Sequence, residues 1–217
     1  MTISRQVLQR IEHNVSGTRL CRDMLAVVPM EHIIRGFLFE KATEKDMYFL
    51  WQVIMPLYRP SNTIVLNYSS RIPDGTWKFH LSKERIAEVS EQVRQVIHDG
   101  HLEHLRTVRR PSDFLDHISW MIGNTTVTFR IDLALTHYLL GNADQCLRIL
   151  KALPVESKIT TRLHADLVTT LVQALEEDPA TVTPRIERWE GKNVERLGLA
   201  PVIDTASRRF RLHRNVK

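Results

Sequence analysis

Cysteine is scarce in this chain. Cys21 and Cys146 are the only two among 217 residues, and neither has a partner at the short spacing of a zinc knuckle or a redox pair, so no thiolate framework organises the fold. Each sits within a helix-like pattern and is expected to be a buried packing residue in a reducing compartment. Glycine is also thin, with eight residues and no glycine-rich loop following a strand, which excludes the Walker and dinucleotide phosphate cradles. No Gly-x-Ser-x-Gly elbow is present, and neither cysteine has a histidine at a motif-defined distance. Long apolar runs are missing too. No stretch reaches the ~18 uncharged apolar residues of a membrane helix, and the N-terminal MTISRQVLQRIEHN is too interrupted by charge for a signal peptide. The expectation is a soluble cytoplasmic protein that does not engage a membrane, with no cofactor and no metal implied.

Charge is asymmetric in one place only. The chain carries 30 Lys and Arg against 25 Asp and Glu, but residues 205–217 contain Arg208, Arg209, Arg211, Arg214 and Lys217 and no acid. Without that tail the body is neutral, so the basic balance describes an extension and not a binding face. Arginines interleaved with Phe210 and Leu212 can grip phosphate by bidentate hydrogen bonds, and equally can dock on a protein or pack as an arm.

What is there reads as one α+β domain over residues 1–204 with a basic tail. Val7, Leu8 and Ile11, then Leu20, Met24, Leu25 and Val28, have helical spacing broken near Ser16 and Gly17, which predicts an N-terminal helical segment of two helices or one kinked helix. Between about residues 31 and 81 the character changes to β-branched and aromatic runs, HIIRGFLFE, MYFLWQVIM, TIVLNYS and TWKFHL, separated by turn residues. Four strands in an antiparallel meander are expected. Most aromatics of the chain fall here (Phe37, Phe39, Tyr48, Phe49, Trp51, Tyr58, Tyr68, Trp77 and Phe79), more than one face of a small sheet requires, so helices or a partner should cover part of it. From 82 to 198 the period shifts to about 3.6. Ile86, Val89, Val93, Val96 and Ile97 form a stripe ending near Gly100. Phe114, Leu115, Ile118, Met121 and Ile122 form the inner face of a helix after Pro111, and further helices follow to Gly198.

The segment LALTHYLLGNADQCLRILKAL resembles one tetratricopeptide helical hairpin, with Leu133, Ala134, Gly141, Cys146 and Leu150 at the positions where that repeat places large, small, turn, small and large residues. The resemblance covers about 20 residues in one copy, and no second copy follows at a period of about 34. It implies two antiparallel helices joined at Gly141, and not a repeat array.

Candidate chemistry centres on histidine. His98, His101 and His104 recur at every third residue in HDGHLEH, a spacing that could place metal ligands on one face of a tight helical turn. Asp116 and His117, with Asp113, could join them as a general acid/base set, and Asp132 with His137 offers a second pair. The spacing matches no zinc signature, and histidines at a helix C-terminus are favoured by the macrodipole alone. The aromatic sheet with Arg35, Arg71 and Lys78 could stack bases, but four consecutive strands are the wrong order for an RNA-binding sheet.

Three functions therefore stand as expectations. The first is a non-catalytic protein-interaction or self-associating module, which fits the missing motifs and the surplus aromatic surface. The second is a binder of nucleic acid or an anionic ligand through Arg208, Arg209, Arg211 and Arg214. The third is a metal-assisted or acid/base enzyme around His98, His101 and His104.

Overall fold

The computed structural model describes residues 1–153 and 161–203 and is α+β. Helix α1 (Ile3–Glu12) opens with Thr2, whose hydroxyl accepts the Arg5 amide, and buries Val7, Leu8 and Ile11. The second helix expected before residue 28 does not form. Strands β1 (Thr18–Cys21) and β2 (Met24–Val27) make a hairpin there instead, closed by Arg22 and Asp23 with Arg22 at a φ of +52°. The cause is burial on both sides. All four residues of β2 are buried, so the strand lacks the alternation that marks a half-exposed one, and its apolar run imitates a helical stripe.

Strands β3 (Ile33–Lys41) and β4 (Met47–Pro56) pair along their whole length, from Ile33 opposite Pro56 to Lys41 opposite Tyr48. The antiparallel order is β1-β2-β3-β4-β5, with β5 (Ser70–Ile72) and β6 (Phe79–His80) both on β4. The run TIVLNYS is not a strand. Ile54 donates its amide to the Ser69 hydroxyl and Val65 donates to the Met55 sulfur, so side chains replace a ladder, and Ile64, Val65 and Leu66 pack across the sheet instead.

The remaining chain is helical: α2 (Ile86–Val96), α3 (Leu102–Thr107), α4 (Pro111–His117), α5 (Val127–Leu139), α6 (Ala143–Lys151), α7 (Arg162–Glu177) and α8 (Val182–Leu197). The run of α2 ends near Gly100 as expected: after Val96 a wide turn (Ile97–His101) leaves helical geometry at Asp99 and at Gly100, which has a φ of +82°, and α3 begins beyond it. The hairpin at Gly141 forms as the tetratricopeptide resemblance implied, with α5 and α6 packed together and Asn142 capping α6 through the Gln145 amide. Among the described residues no helix is long and apolar enough to cross a membrane.

The sheet separates two apolar regions. One face carries Leu25, Val27, Phe37, Leu50 and Ile54 against the helices. The other carries Met24, Ala26, Ile34, Val53 and Met55, closed by the end of α8 and by Leu199 and Val202. The β1–β2 turn clamps that end: Cys21 donates its thiol to the Gly198 carbonyl at 2.7 Å and Arg22 donates to the Arg196 carbonyl at 2.8 Å. Gly198 has a φ of +66°, and a Cβ there would lie 2.4 Å from Arg22 Nε. Gly198→Ala should therefore lose about 1 kcal/mol, from the left-handed backbone and the displaced clamp. A thermal melt unchanged to within a degree would show that the clamp contributes nothing.

Candidate functional site

A group of buried, mutually bonded polar side chains lies where the segment after β4 meets α5. Arg59, Asp132 and Thr136 are buried, as are Tyr58 and Tyr68. Arg59 Nε donates to Asp132 Oδ1 at 2.6 Å, and the Tyr68 hydroxyl donates to Oδ2 at 2.8 Å. Thr136 commits its proton to the Asp132 carbonyl at 2.7 Å, so Tyr58 must donate in the 2.6 Å bond between their hydroxyls. Burial pushes the Asp132 carboxyl upward while Arg59 and Tyr68 pull it back. Burial also raises both tyrosines well above their usual range, which keeps them as neutral donors. Burial first and the Arg59 charge second hold His164 below the ordinary imidazole value.

This network is closed on itself. Both carboxylate oxygens of Asp132 are occupied, and the surrounding chain is pinned by Asn193 of α8, which donates to the carbonyls of Leu57 and Arg59 and accepts the Ser61 amide. The arrangement fixes the path of residues 57–61 between sheet and helices. Asp132 pairs with Arg59 and not with His137, the partner that sequence spacing had offered.

The histidine cluster is brought only partly together. His98 is exposed. His101 Nδ1 lies 3.0 Å from Gln52 Oε1 on β4, and the Gln52 amide donates back to the His101 carbonyl. The rings of His104 and His117 are in contact, 5.3 Å between centroids at 51°, and His117 Nε2 donates to the Tyr68 carbonyl at 3.1 Å. Asp116 is exposed on α4, and Asp113 accepts the backbone amides of Arg109 and Arg110 as a helix cap. Among the described residues no three His, Cys, Asp or Glu side chains converge as a metal would require.

Of the basic residues near the sheet, Arg35 is buried, donates to the carbonyls of Leu105 and Pro29, and is drawn down to about 10 by burial and by Arg109. It ties β3 to the end of α3. Arg71 lies over Phe49, 3.7 Å from the ring centroid, beside Trp51 at 5.0 Å. Arg71 and the Trp51 indole both donate to Glu40 Oε2. Phe49 and Trp51 are thus capped by the protein's own cation and carboxylate, whereas Trp77 remains 55% exposed. Arg208, Arg209, Arg211 and Arg214 lie outside the described residues.

One exposed apolar group went unread in the sequence. The helix expected to run from Ser112 to Gly123 stops at His117, and the turn Ser119–Met121 follows. Trp120 is 79% exposed and Ile122 56% exposed, although the spacing had placed Ile122 inside. The turn is ordered by main-chain bonds from Met121 to Ile118, from Ile122 to Ser119 and from Asn124 to Met121. Met121 packs on the main core, so its neighbours are held outward on a fixed support.

The comparisons with known proteins find nothing. No family model, no curated protein and no solved structure matches this chain.

Proposed function

We propose that this protein is a non-catalytic interaction module that binds another protein chain or a second copy of itself through the turn carrying Trp120 and Ile122. The observation that carries the reading is the 79% exposure of Trp120 on a turn whose backbone is hydrogen-bonded and whose half-buried Met121 packs against the core. A large aromatic held rigidly in water loses little conformational freedom when it docks, and tryptophan is the side chain most enriched among residues that dominate binding energy. A soluble chain gains nothing in its own folding from such a side chain, whereas a partner pocket would desolvate it.

The buried ion pair fits the same reading. Its donors and acceptors satisfy one another and give the helical half a fixed position on the sheet, which is what a rigid presenting surface needs. Sedimentation of the full chain over a wide concentration range tests self-association directly. The expected result is reversible association of the wild type that Trp120→Asp with Ile122→Asp weakens at least about tenfold, the size of one lost anchor, with the melting temperature unchanged. Association of equal strength in both proteins would remove this turn from the interface, and a wild type that stays monomeric with Trp120 fully quenchable would contradict the self-associating form.

A further inference from the structure

We propose that the outer face of α8 is a sequence-independent track for the phosphate backbone of a nucleic-acid strand, separate from the turn that carries Trp120. Arg185, Arg188, Lys192 and Arg196 follow one another at steps of three and four residues, so they form one row along the helix, about 16 Å long. The helix buries Val182, Ile186, Glu190, Asn193 and Leu197, and this sets the direction of the row. Arg188, Lys192 and Arg196 are exposed and Arg185 is half-buried. The charges rise by about 4.5–6 Å per step, comparable to the separation of neighbouring phosphates along a strand.

The charge of this row is not spent within the protein. At α2 and α3 the exposed arginines are paired with glutamates one turn away, Arg85 with Glu88, Arg94 with Glu91 and Arg106 with Glu103. Among the described residues none of the four bases of α8 forms an ion pair, and Arg196 donates only to the neutral Asn62. At ~100° per residue, Glu187 points away from the row, and Glu195 borders it. The row continues beyond the helix. Arg22 donates to the Arg196 carbonyl at 2.8 Å and Arg19 to the Pro201 carbonyl at 3.4 Å, so two further exposed guanidinium groups stand at its C-terminal end. Each carries five N–H groups, of which these bonds use one. Six bases are gathered against two bordering acids, Glu195 and Asp23, and residues 205–217 add five more bases and no acid.

The shape and composition of the row select its ligand. Charges repeated along a line match a polymer of phosphates and not a single anion. Three of the four helical bases are arginine, whose planar fork meets two phosphate oxygens at once. An anionic bilayer is a poorer occupant. Among the described residues the exposed large apolar side chains, such as Trp77, Trp120, Leu140 and Leu163, all lie off α8, and Trp189 beside the row packs on the main core. The row therefore has no apolar group to insert into lipid. It also has no exposed ring on which bases could stack, so affinity rests on phosphates and carries little sequence preference.

Fluorescence anisotropy of the full chain with a labelled single-stranded oligonucleotide of mixed sequence, at 50 and 200 mM salt, tests the track. The wild type should bind at 50 mM and weaken steeply at 200 mM. Arg188→Gln with Lys192→Gln should weaken binding roughly tenfold at 50 mM and flatten the slope of log affinity against log salt by about 1.4, at about 0.7 for each lost contact. Arg85→Gln with Arg94→Gln removes the same charge from paired positions and should bind as the wild type does. Thermal melts of the variants should match the wild type, since all four positions lie at the surface. No binding at 50 mM, equal loss in the two double variants, or full binding by Arg188→Gln with Lys192→Gln would overturn the proposal. Capture of phosphatidylserine vesicles in place of the oligonucleotide would overturn it as well.

Discussion

Asp132→Ala should cost about 3–5 kcal/mol of folding stability, because it leaves the Arg59 guanidinium buried without its counter-ion. Asp132 is completely buried and Arg59 nearly so, so water cannot replace the lost partner, and the Tyr68 hydroxyl loses its acceptor at the same time. The loss is large against the roughly 5–15 kcal/mol by which domains are stable, and the variant should be partly unfolded near body temperature. A second variant separates the cost of an orphaned charge from the worth of the pair. Arg59→Met combined with Asp132→Leu removes both charges and should recover most of the loss. Denaturant unfolding of the three proteins checks both statements. A drop below about 1 kcal/mol for Asp132→Ala would mean that the site is wetter than its burial indicates.

Gly36→Ala should be nearly as damaging, by about 3 kcal/mol, and for a different reason. Gly36 lies in the middle of β3 opposite Ala26 and Val53. A Cβ at this position would stand 2.5 Å from the Leu25 carbonyl oxygen and 3.1 Å from both the Ala26 Cα and the Met24 Cγ. Backbone cannot yield as a side-chain tip can, so the methyl group must push β2 away from β3 and disturb both apolar regions that the sheet separates. Gly75 is the control, since a Cβ there meets nothing within 4 Å, and Gly75→Ala should melt with the wild type. Equal melting temperatures for Gly36→Ala and Gly75→Ala would contradict the packing of β2 on β3.

The elements that were legible in the sequence are those whose burial is one-sided. Helix α2 shows its stripe because Val89 and Val93 face the core while Glu88, Glu91 and Arg94 face water as ion pairs with Arg85 or each other. The α5–α6 hairpin is marked by its turn residues. The hairpin of β1 and β2 was hidden because Met24, Leu25, Ala26 and Val27 are all buried, and two-sided burial erases the period that distinguishes strand from helix. The third expected strand misplaced pairing by a few residues, since Ser69 and Met55 side chains satisfy amides that a ladder would have used.

The candidate sites divide along the same line. Spacing placed the histidines of the 98–104 segment near one another, and the structure does join His104 to a ring, but that ring is His117 from the next helix. The network of Tyr58, Arg59, Tyr68, Asp132 and Thr136 brings together groups separated by up to 78 positions, and no local pattern encodes such a meeting. Trp120 was legible only as one more apolar residue near a helical run. Its exposure follows from α4 ending at His117, where Ile118 leaves helical geometry, a stop that no glycine or proline announces.

A native mass spectrum of the purified full-length protein tests the central claim most directly, because one experiment reports subunit number and any bound species. An interaction module should appear as an oligomer or as a stoichiometric complex with another polypeptide, with no added small mass, and the Trp120→Asp, Ile122→Asp variant should shift to the bare monomer. A monomer that reproducibly carries a metal ion or a small molecule, unchanged in the variant, would contradict the account.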